Sequence, residues 1–314
     1  MMRVEKYNEP LQGEWDSFIG RSVNGLFQHQ RSFINYHGSK FDDHSLLIYD
    51  GNSLLGCIAG VIKDGLYISH PGLGLSEIIV KKGSTRKYRA ILLEVLSYLS
   101  SQAVTELVLR SIPQPYKSKS TSAIDFYYHA TNVQVIGTKL SMIIPTADDK
   151  LYDAYSRKIV KQMNHCTSHT VDSVSFHTQL RKYLQLNYST EPLHTESELT
   201  YLCKSFPEQI VCYQLIEGSV SKAGACMFYY RNIAKLQYLY SEKGDYSRKL
   251  MDDIRLLVKD RYEYIDLGTS NSLAGGNLNY GNVKYKESLG GLAMLVNTYK
   301  VNVSQTLNYL NNEG

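Results

Sequence analysis

Hydrophobic and polar positions alternate in short runs in the first half of the chain. The alternation predicts strands at residues 45–49, 53–62 and 66–69, which are separated by Asp-Gly turns. Apolar residues then recur every three or four positions over residues 85–101, which predicts a helix, and alternation resumes at 106–110. The first half therefore has three strands, a helix and a further strand.

The second half repeats this order of elements without repeating the residues. Its pattern predicts strands at 210–216, 221–230 and 235–240, then a helix at 247–260 and a strand at 262–267. Tandem copies of one fold give such a duplicated order, because each copy contributes the same succession of strands and helices.

The duplication predicts an α/β protein with mixed antiparallel and parallel sheets and two domains. We expect an N-terminal domain at 1–147 and a C-terminal domain at 148–314. Two more helices are predicted at 150–164 and 173–187, within a helical linker or insert of about 150–200.

Composition narrows the class of protein. The 314 residues are 43% hydrophobic and 20% charged, and no run approaches the roughly 18 apolar residues of a membrane span. The N-terminus lacks the apolar run of a signal peptide, so we expect a soluble, cytoplasmic protein. A net charge of +4 without a long basic tract demands no nucleic-acid groove; a small anionic ligand would suffice.

The five cysteines are odd in number and widely spaced, with no C-x-x-C pair. This spacing argues against a disulfide framework and against a zinc site. We therefore predict buried thiols and no metal.

Residues 262–291 carry the strongest chemical signal. A strand is followed by the polar residues Thr269 to Ser272, then by the glycines Gly275 and Gly276, which let a backbone approach a ligand closely. A helix is expected from about Asn279. Its lysines at 284 and 286 lie about 200° apart, so both cannot face one ligand. A surface turn with a solvated helix is the alternative.

Three segments resemble the FemAB-like branch of the GNAT acyltransferase superfamily. In the C-terminal segment, residues 266–270, 279–281 and 285–291 match the family's D-x-GTS strand end, N-x-G helix start and F-K-E-x-F-G-G ending. Residues 66–80 resemble its N-terminal strand and loop, except that the usual glycine pair is Leu75-Ser76 here, and 156–162 resembles its basic helix. The resemblance implies two tandem GNAT-like domains.

The resemblance also implies direct transfer of an acyl group from acyl-CoA, the co-substrate, to an amine, with no covalent enzyme intermediate. His70 is then the first candidate for the base, and Asp266 is a rival that acts through water or orients a neighbour. Lys286, preferred over Lys284, would stabilise the oxyanion or phosphates. Either Tyr238 or Tyr240 would protonate the leaving thiolate.

Two loops are candidates for the CoA pyrophosphate, each preceding a helix whose N-terminus favours anions. The loop in the second repeat, 241–247, contains two acidic residues, which would repel a pyrophosphate. Charge therefore favours the loop in the first repeat. Neither has the superfamily's usual Q/R-x-x-G-x-G/A pattern, and the first loop could instead bind a nucleotide sugar. The candidate cofactor-binding residues of the first loop are Lys81, Lys82, Gly83, Ser84 and Arg86.

Further polar and aromatic residues are candidates for binding the acceptor. Residues 27–37 resemble the FemAB-like segment at the acceptor cleft, and a basic pair on one helix could clasp a diphosphate between the repeats. Core packing and a solvated basic face are the alternatives. The candidates are His29, Gln30, Tyr36, His37, Arg157, Lys161, Tyr238, Ser270, Asn271, Asn279 and Tyr280.

The expected function is that of a sugar N-acyltransferase. Its acceptor would be a dTDP- or UDP-linked amino sugar, such as a 3-amino-3,6-dideoxyhexose, for the O-antigen of lipopolysaccharide or another bacterial surface polysaccharide. Two alternatives stay open. One is tRNA-dependent aminoacyl transfer to a peptidoglycan precursor, and the other is a non-catalytic module that binds a glycan or a partner protein.

Overall fold

A computed structural model describes residues 2–131, 133–148, 152–272 and 276–313. They form two compact units. Unit 1 contains Met1–Thr138 and Val296–Gly314, and unit 2 contains Lys139–Leu295. No helix in the described ranges has both the length and the apolar character that crossing a membrane requires.

Strands and helices are numbered in chain order. Those of unit 1 are β1 Met2–Lys6, α1 Gln12–Arg21, α2 Arg31–Ile34, β2 Leu46–Asp50, β3 Ser53–Ile58, β4 Gly60–Lys63, β5 Leu66–Ser69, β6 Ile79–Val80, α3 Thr85–Ser101, β7 Glu106–Arg110, α4 Ser122–Ala130 and α10 Val303–Asn312. Two strands contain the unit boundaries, namely β8 Gln134–Pro145 and β14 Leu292–Asn302.

Unit 1 contains two groups of paired strands. Strands β1, β2, β3 and β6 pair antiparallel in that order. In the other group β4 pairs antiparallel with β5, β5 pairs parallel with β7, and β7 pairs antiparallel with β14. The apolar face of α3 packs into the core of this unit, with Ile91, Leu92, Val95, Leu96 and Leu99 buried. The predicted helical spacing therefore marks the core-facing side of α3.

Unit 2 contains α5 Ala154–Gln162, β9 Thr167–Val171, α6 Ser173–Tyr188, α7 Glu196–Ser205, β10 Ile210–Glu217, β11 Val220–Tyr229, β12 Ile233–Ser241, α8 Gly244–Val258, β13 Tyr264–Thr269 and α9 Tyr280–Ser288.

The strands of unit 2 follow the order β8, β13, β12, β11, β10, β9. All neighbours are antiparallel except β12 and β13. Helix α8 buries Leu250, Met251, Ile254 and Val258 in the core of this unit. The connection from β12 through α8 to β13 is therefore the crossover that makes these two strands parallel.

The predicted α/β class with mixed sheets is confirmed. One predicted element was wrong, because residues 53–62 form two strands. β3 pairs with β2, whereas β4 pairs with β5, so the chain changes partner near Ala59. The domain limits at 147 and 148 stay a prediction, and Lys150, the predicted start of a helix, lies outside the described residues.

Candidate functional site

The parallel strands β12 and β13 separate after three pairs of residues. Pairing runs from Ile233 opposite Tyr264 to Lys235 opposite Asp266, although β12 continues to Ser241. A register shift between β11 and β12 leaves Gln237 as an extra, bulged residue just beyond the last pair. The two strands therefore diverge and leave an opening in the sheet of unit 2.

A cavity of about 660 Å³ lies at this opening. The diverging parts of β12 and β13 line it, together with residues from the first turn of α8, from α6 and from α9. We call it the main cavity. Its lining includes Tyr183, Tyr188, Tyr238, Gly244, Ser247 and Lys286.

Lys286 is the buried cation of the main cavity. Its side chain comes from the last turn of α9 and the residue is 5% exposed. Nζ donates hydrogen bonds to the carbonyl oxygens of Gly268 at 2.7 Å and Thr269 at 2.8 Å. Among the described residues no acceptor binds its third N–H. Burial lowers the pKa of Lys286 to about 8, against the opposing effect of the Asp266 charge.

Asp266 shapes the strand end that holds Lys286. The buried carboxylate accepts hydrogen bonds from Ser141 Oγ at 2.6 Å and from the backbone N–H of Gly268 at 2.7 Å. Gly268 has a φ of +74°, a conformation that glycine adopts without strain. Asp266 therefore fixes the turn whose carbonyl groups bind Lys286, and it is not among the described residues that line the main cavity.

The first turn of α8 contributes Gly244 and Ser247 to the lining of the main cavity. The N-cap residue Lys243 makes no side-chain hydrogen bond to this turn. The two acidic residues nearby are paired with other groups. Glu242 forms an ion pair with Lys222 at 2.9 Å, and Asp245 accepts from Tyr155 Oη at 2.9 Å. An uncapped helix N-terminus at a cavity is suited to a phosphate group.

Tyr285 connects α9 to this turn. Its hydroxyl donates to Ser247 Oγ at 2.7 Å, and Ser247 Oγ donates to the carbonyl oxygen of Gly244 at 2.8 Å. The Arg248 guanidinium lies 5.0 Å from the centre of the Tyr285 ring. The sequence placed Gly244 and Ser247 in a candidate phosphate loop and Tyr285 in a motif, but it did not indicate that they meet, because this contact joins residues 38 positions apart.

The structure separates the two candidate tyrosines of β12. Tyr238 lines the main cavity, and its Oη lies 2.5 Å from Nδ1 of the buried His194, whose backbone N–H also donates to it at 3.1 Å. Tyr240 Oη is bonded to Ser221 Oγ at 3.0 Å and lines a separate cavity of about 360 Å³. His194 was missed from the sequence because it lies in a loop without a recognisable motif.

The polar turn between β13 and α9 is built largely by its own side chains. Asn271 Oδ1 accepts from the Leu140 N–H at 2.9 Å, and Asn279 caps α9 by accepting from the Asn282 N–H at 3.0 Å. Asn279 also lines the main cavity. Ser270 is fully buried, and its hydroxyl has no hydrogen-bond partner in the described part of the chain. Tyr280 is 76% exposed, and Gly275 lies outside the described residues.

His70 and His29 lie in unit 1, and both are buried. The His70 ring lies 5.1 Å from that of His37, and burial, with the His37 charge, lowers its pKa to about 4. His29 accepts from the Leu26 N–H at 3.0 Å through Nδ1, which leaves Nε2 to donate to the Leu75 carbonyl at 2.9 Å. Burial lowers its pKa to about 4 as well. Both ring nitrogens of His29 therefore serve the fold.

The remaining acceptor candidates lie in two places. Tyr36 stacks on the neighbouring His37 at 3.9 Å, and Gln30 is the N-cap residue of α2 in unit 1. Arg157 and Lys161 are exposed on α5 in unit 2, where Arg157 donates to the carbonyl oxygen of Tyr152.

The basic loop before α3 uses its own groups to begin that helix. Ser84 Oγ accepts from the Lys87 N–H at 3.3 Å, and the Gly83 N–H donates to Tyr88 Oη at 3.2 Å. Lys81 Nζ donates to Ser53 Oγ. Two further basic residues of the loop, Lys82 and Arg86, are exposed. This helix start is capped, unlike that of α8.

No protein-family model and no curated protein matches the sequence significantly. Solved structures do match. FemX is 11% identical with a TM-score of 0.67, and the match covers 98% of this chain and 99% of that one. A Bacteroides thetaiotaomicron protein of unknown function is 10% identical with a TM-score of 0.60 and coverages of 96% and 100%.

A third match is a DUF2156 domain from Agrobacterium fabrum, at 10% identity, a TM-score of 0.60 and coverages of 96% and 94%. Likeness at such low identity is a likeness of fold. The chain therefore has the mixed α/β fold of FemX, which confirms the predicted α/β class with mixed sheets.

Proposed function

We propose that the chain is an N-acyltransferase that binds its acyl donor in the main cavity of unit 2. The observation that carries this proposal is the divergence of β12 and β13 around a cavity lined by both the uncapped start of α8 and Lys286. The donor is an acyl-CoA, and the acceptor is the amino group of a dTDP- or UDP-linked deoxyamino sugar. The product would serve bacterial surface polysaccharide.

The opening suits an elongated donor that carries amides and phosphates. Beyond Lys235 the backbone of β12 is released from β13, so its amide groups on that side can pair with amides of a pantetheine arm. The first turn of α8 would bind the pyrophosphate through its N–H groups and the helix dipole. The pairing of Glu242 with Lys222 offsets the acidic charge that counted against this loop.

The transfer needs one new bond and one broken bond. The acceptor nitrogen attacks the thioester carbon, the oxyanion collapses, the C–S bond breaks, and the thiolate takes a proton. Lys286, which has one N–H left to donate, would stabilise the oxyanion. Tyr238, backed by His194, would give the proton to the thiolate.

The base that takes the proton of the acceptor amine stays a prediction. His70 is unprotonated at neutral pH, as a base must be, because its pKa is about 4. A pKa this low also makes a weak proton acceptor. Replacing His70 by alanine tests the assignment, since a base affects kcat far more than KM.

The test of the function is thiol release from a panel of acyl-CoAs offered with dTDP- and UDP-linked amino sugars. Hydroxyl analogues of the sugars are the matched controls, because they lack only the attacking nitrogen. We expect release that requires the amine and that Lys286→Met strongly reduces. Absence of turnover across the panel would reject acyl-CoA as the donor.

Aminoacyl transfer from tRNA is the second candidate. It is favoured by the likeness to FemX over nearly the whole of both chains, and by the absence of the usual CoA-binding pattern in residues 241–247. Here the terminal ester of an aminoacyl-tRNA would replace the thioester. Aminoacyl-tRNA offered with a peptidoglycan precursor distinguishes the two donors, because product would form without any release of thiol.

A further inference from the structure

A group of three metal-binding side chains lies in unit 2 at the outer strand β9. His165 and Cys166 immediately precede β9, and Glu217 ends β10. The antiparallel pair of Thr167 and Ile216 brings these chain positions together. One ligand atom from each of the three lies within 4.8 Å of the others.

The three side chains converge on one carboxylate oxygen. His165 Nε2 is 2.8 Å from Glu217 Oε1, and Cys166 Sγ is 4.0 Å from the same atom. The second oxygen, Oε2, accepts a hydrogen bond from Tyr246 Oη at 2.9 Å. Tyr246 therefore orients the carboxylate and leaves Oε1 for the cluster, which is the usual arrangement behind a metal ligand.

We propose that His165, Cys166 and Glu217 bind a divalent cation of the zinc type. An imidazole, a thiolate and a carboxylate are the ligands that zinc takes in proteins. Tetrahedral bonding to zinc would place the nitrogen about 3.3 Å and the sulfur about 3.5 Å from the carboxylate oxygen. The present distances differ from these values by about half an ångström each, which small rotations of the side chains supply.

Exposure of the cluster suits exchange of a metal with solvent. The Cys166 residue is 3% exposed, whereas the His165 side chain is 59% exposed and that of Glu217 is 36% exposed. The sulfur thus provides an inner anchor, and the open side admits a water molecule as the fourth ligand. Binding releases the thiol proton of Cys166 to water, so that two anionic ligands balance the charge of the cation.

With three protein ligands and an open fourth position, the site differs from a closed structural zinc site, and the bound ion would act on the local fold of unit 2. Glu217 is bonded to Tyr246, which lies in the first turn of α8, so a metal would connect the start of β9 to that turn. The cluster escaped the argument from cysteine spacing because it uses one cysteine and a carboxylate 51 positions away. The inference does not depend on the proposed acyl transfer.

Cobalt(II) absorption and a zinc competition titration of the full chain test the site. We expect one ion per chain and a charge-transfer band from thiolate to cobalt, which Cys166→Ser abolishes. His165→Gln should weaken binding at least about tenfold, and Tyr246→Phe should weaken it about tenfold as the loss of an orienting contact. Zinc should also raise the unfolding temperature of the unmodified chain.

Matched controls come from the same region. Cys203→Ser removes a half-buried thiol of α7, and His169→Gln removes an exposed histidine of β9, so both should leave the titration unchanged. Because His165 is exposed, His165→Gln should fold, which keeps the test valid if Cys166→Ser does not. An unmodified chain without stoichiometric binding, or a cobalt band that survives Cys166→Ser, would refute the site.

Discussion

In the described part of the chain, each unit has a pair of parallel strands whose pairing stops early, and the units use the space beyond the last pair differently. In unit 2 the strands diverge around the main cavity. In unit 1 the pairing of β5 with β7 ends at Ile68 opposite Val108, and a returning chain segment lies beyond it, where Ser76 and Arg110 exchange two backbone hydrogen bonds of 2.9 Å. The same strand arrangement is thus open in unit 2 and filled in unit 1.

The length of the connection to the next helix explains this difference. In unit 2 only residues 242 and 243 separate β12 from α8, so the helix begins directly at the opening. In unit 1 residues 70–84 separate β5 from α3. Part of this longer connection folds back onto β7, and its end forms β6 on another group of strands. The comparison supports the proposal that unit 2 binds the acyl donor.

A cation marks the strand end in both units, the half-buried Arg110 in unit 1 and the buried Lys286 in unit 2. Arg110 donates to the carbonyl oxygens of Ser69, His70 and Leu73 at 2.9 to 3.4 Å in unit 1. Lys286 donates to two carbonyl groups at the end of β13 in unit 2. Arg110 holds a filled segment, whereas Lys286 lines a cavity. The two cations should therefore differ in whether their loss affects stability or rate.

The largest expected difference between the units is in acid stability. His29 and His70 of unit 1 have a pKa of about 4, below the ordinary value of 6.5. Between these values the unfolded chain binds protons that the folded chain does not. The contribution of the two neutral histidines to the free energy of unfolding is thus fully present above about pH 6.5. It is lost as the pH falls toward 4, by on the order of 3 kcal/mol for each histidine. Unit 1 should unfold first.

The single tryptophan makes this measurable. Trp15 is buried in unit 1 and donates to the backbone carbonyl of His29 at 2.7 Å. During acid titration its fluorescence should change at a higher pH than the circular dichroism of the whole chain. His70→Gln should move the fluorescence transition to lower pH. If the fluorescence and the circular dichroism of the unmodified chain changed at the same pH, the two units would not differ in acid stability.

The next largest effect concerns Lys286. Lys286→Met should lower kcat about 10²- to 10³-fold, because it removes the one buried ammonium that faces the main cavity in the described ranges. Lys284→Met is the matched control, since Lys284 lies on the same helix and is exposed. Steady-state kinetics should show the loss in kcat rather than in KM. Equal effects of the two substitutions would exclude a special role for Lys286.

Sequence patterns predicted the parts of this site that are local. Asn279 begins α9, and Lys286 is buried while Lys284 is exposed, as helical spacing required of two lysines that cannot share a face. Long-range contacts were not predictable. The sequence gives no signal for the hydrogen bond between Tyr238 and His194. It gives none for the segment that pairs with Arg110 and fills the opening of unit 1, because both features depend on how distant elements pack.

The pH dependence of the rate gives a smaller effect and tests the charge on Lys286. Burial lowers its pKa to about 8, so the ammonium is lost as the pH rises through that value. If the charged form stabilises the oxyanion, the ratio of kcat for the unmodified enzyme to kcat for Lys286→Met should fall about tenfold per pH unit above 8. The ratio cancels deprotonation of the acceptor amine. A ratio that rises through pH 8 would instead make neutral Lys286 the base.

The smallest effect concerns the filled opening of unit 1. Arg110→Met removes the guanidinium that donates to three carbonyl groups, of which that of His70 keeps the Leu73 N–H as a donor, and this should cost about 1–3 kcal/mol of unfolding free energy. At about 2–4 °C per kcal/mol, thermal unfolding followed at Trp15 should move down by several degrees. The exposed Lys63→Met in β4 should stay within about 0.5 kcal/mol of the unmodified chain. If Arg110→Met left stability unchanged, segment 70–78 would be held by its backbone pairing with β7 alone. Arg110 and Lys286 would then resemble each other in position without sharing a structural role.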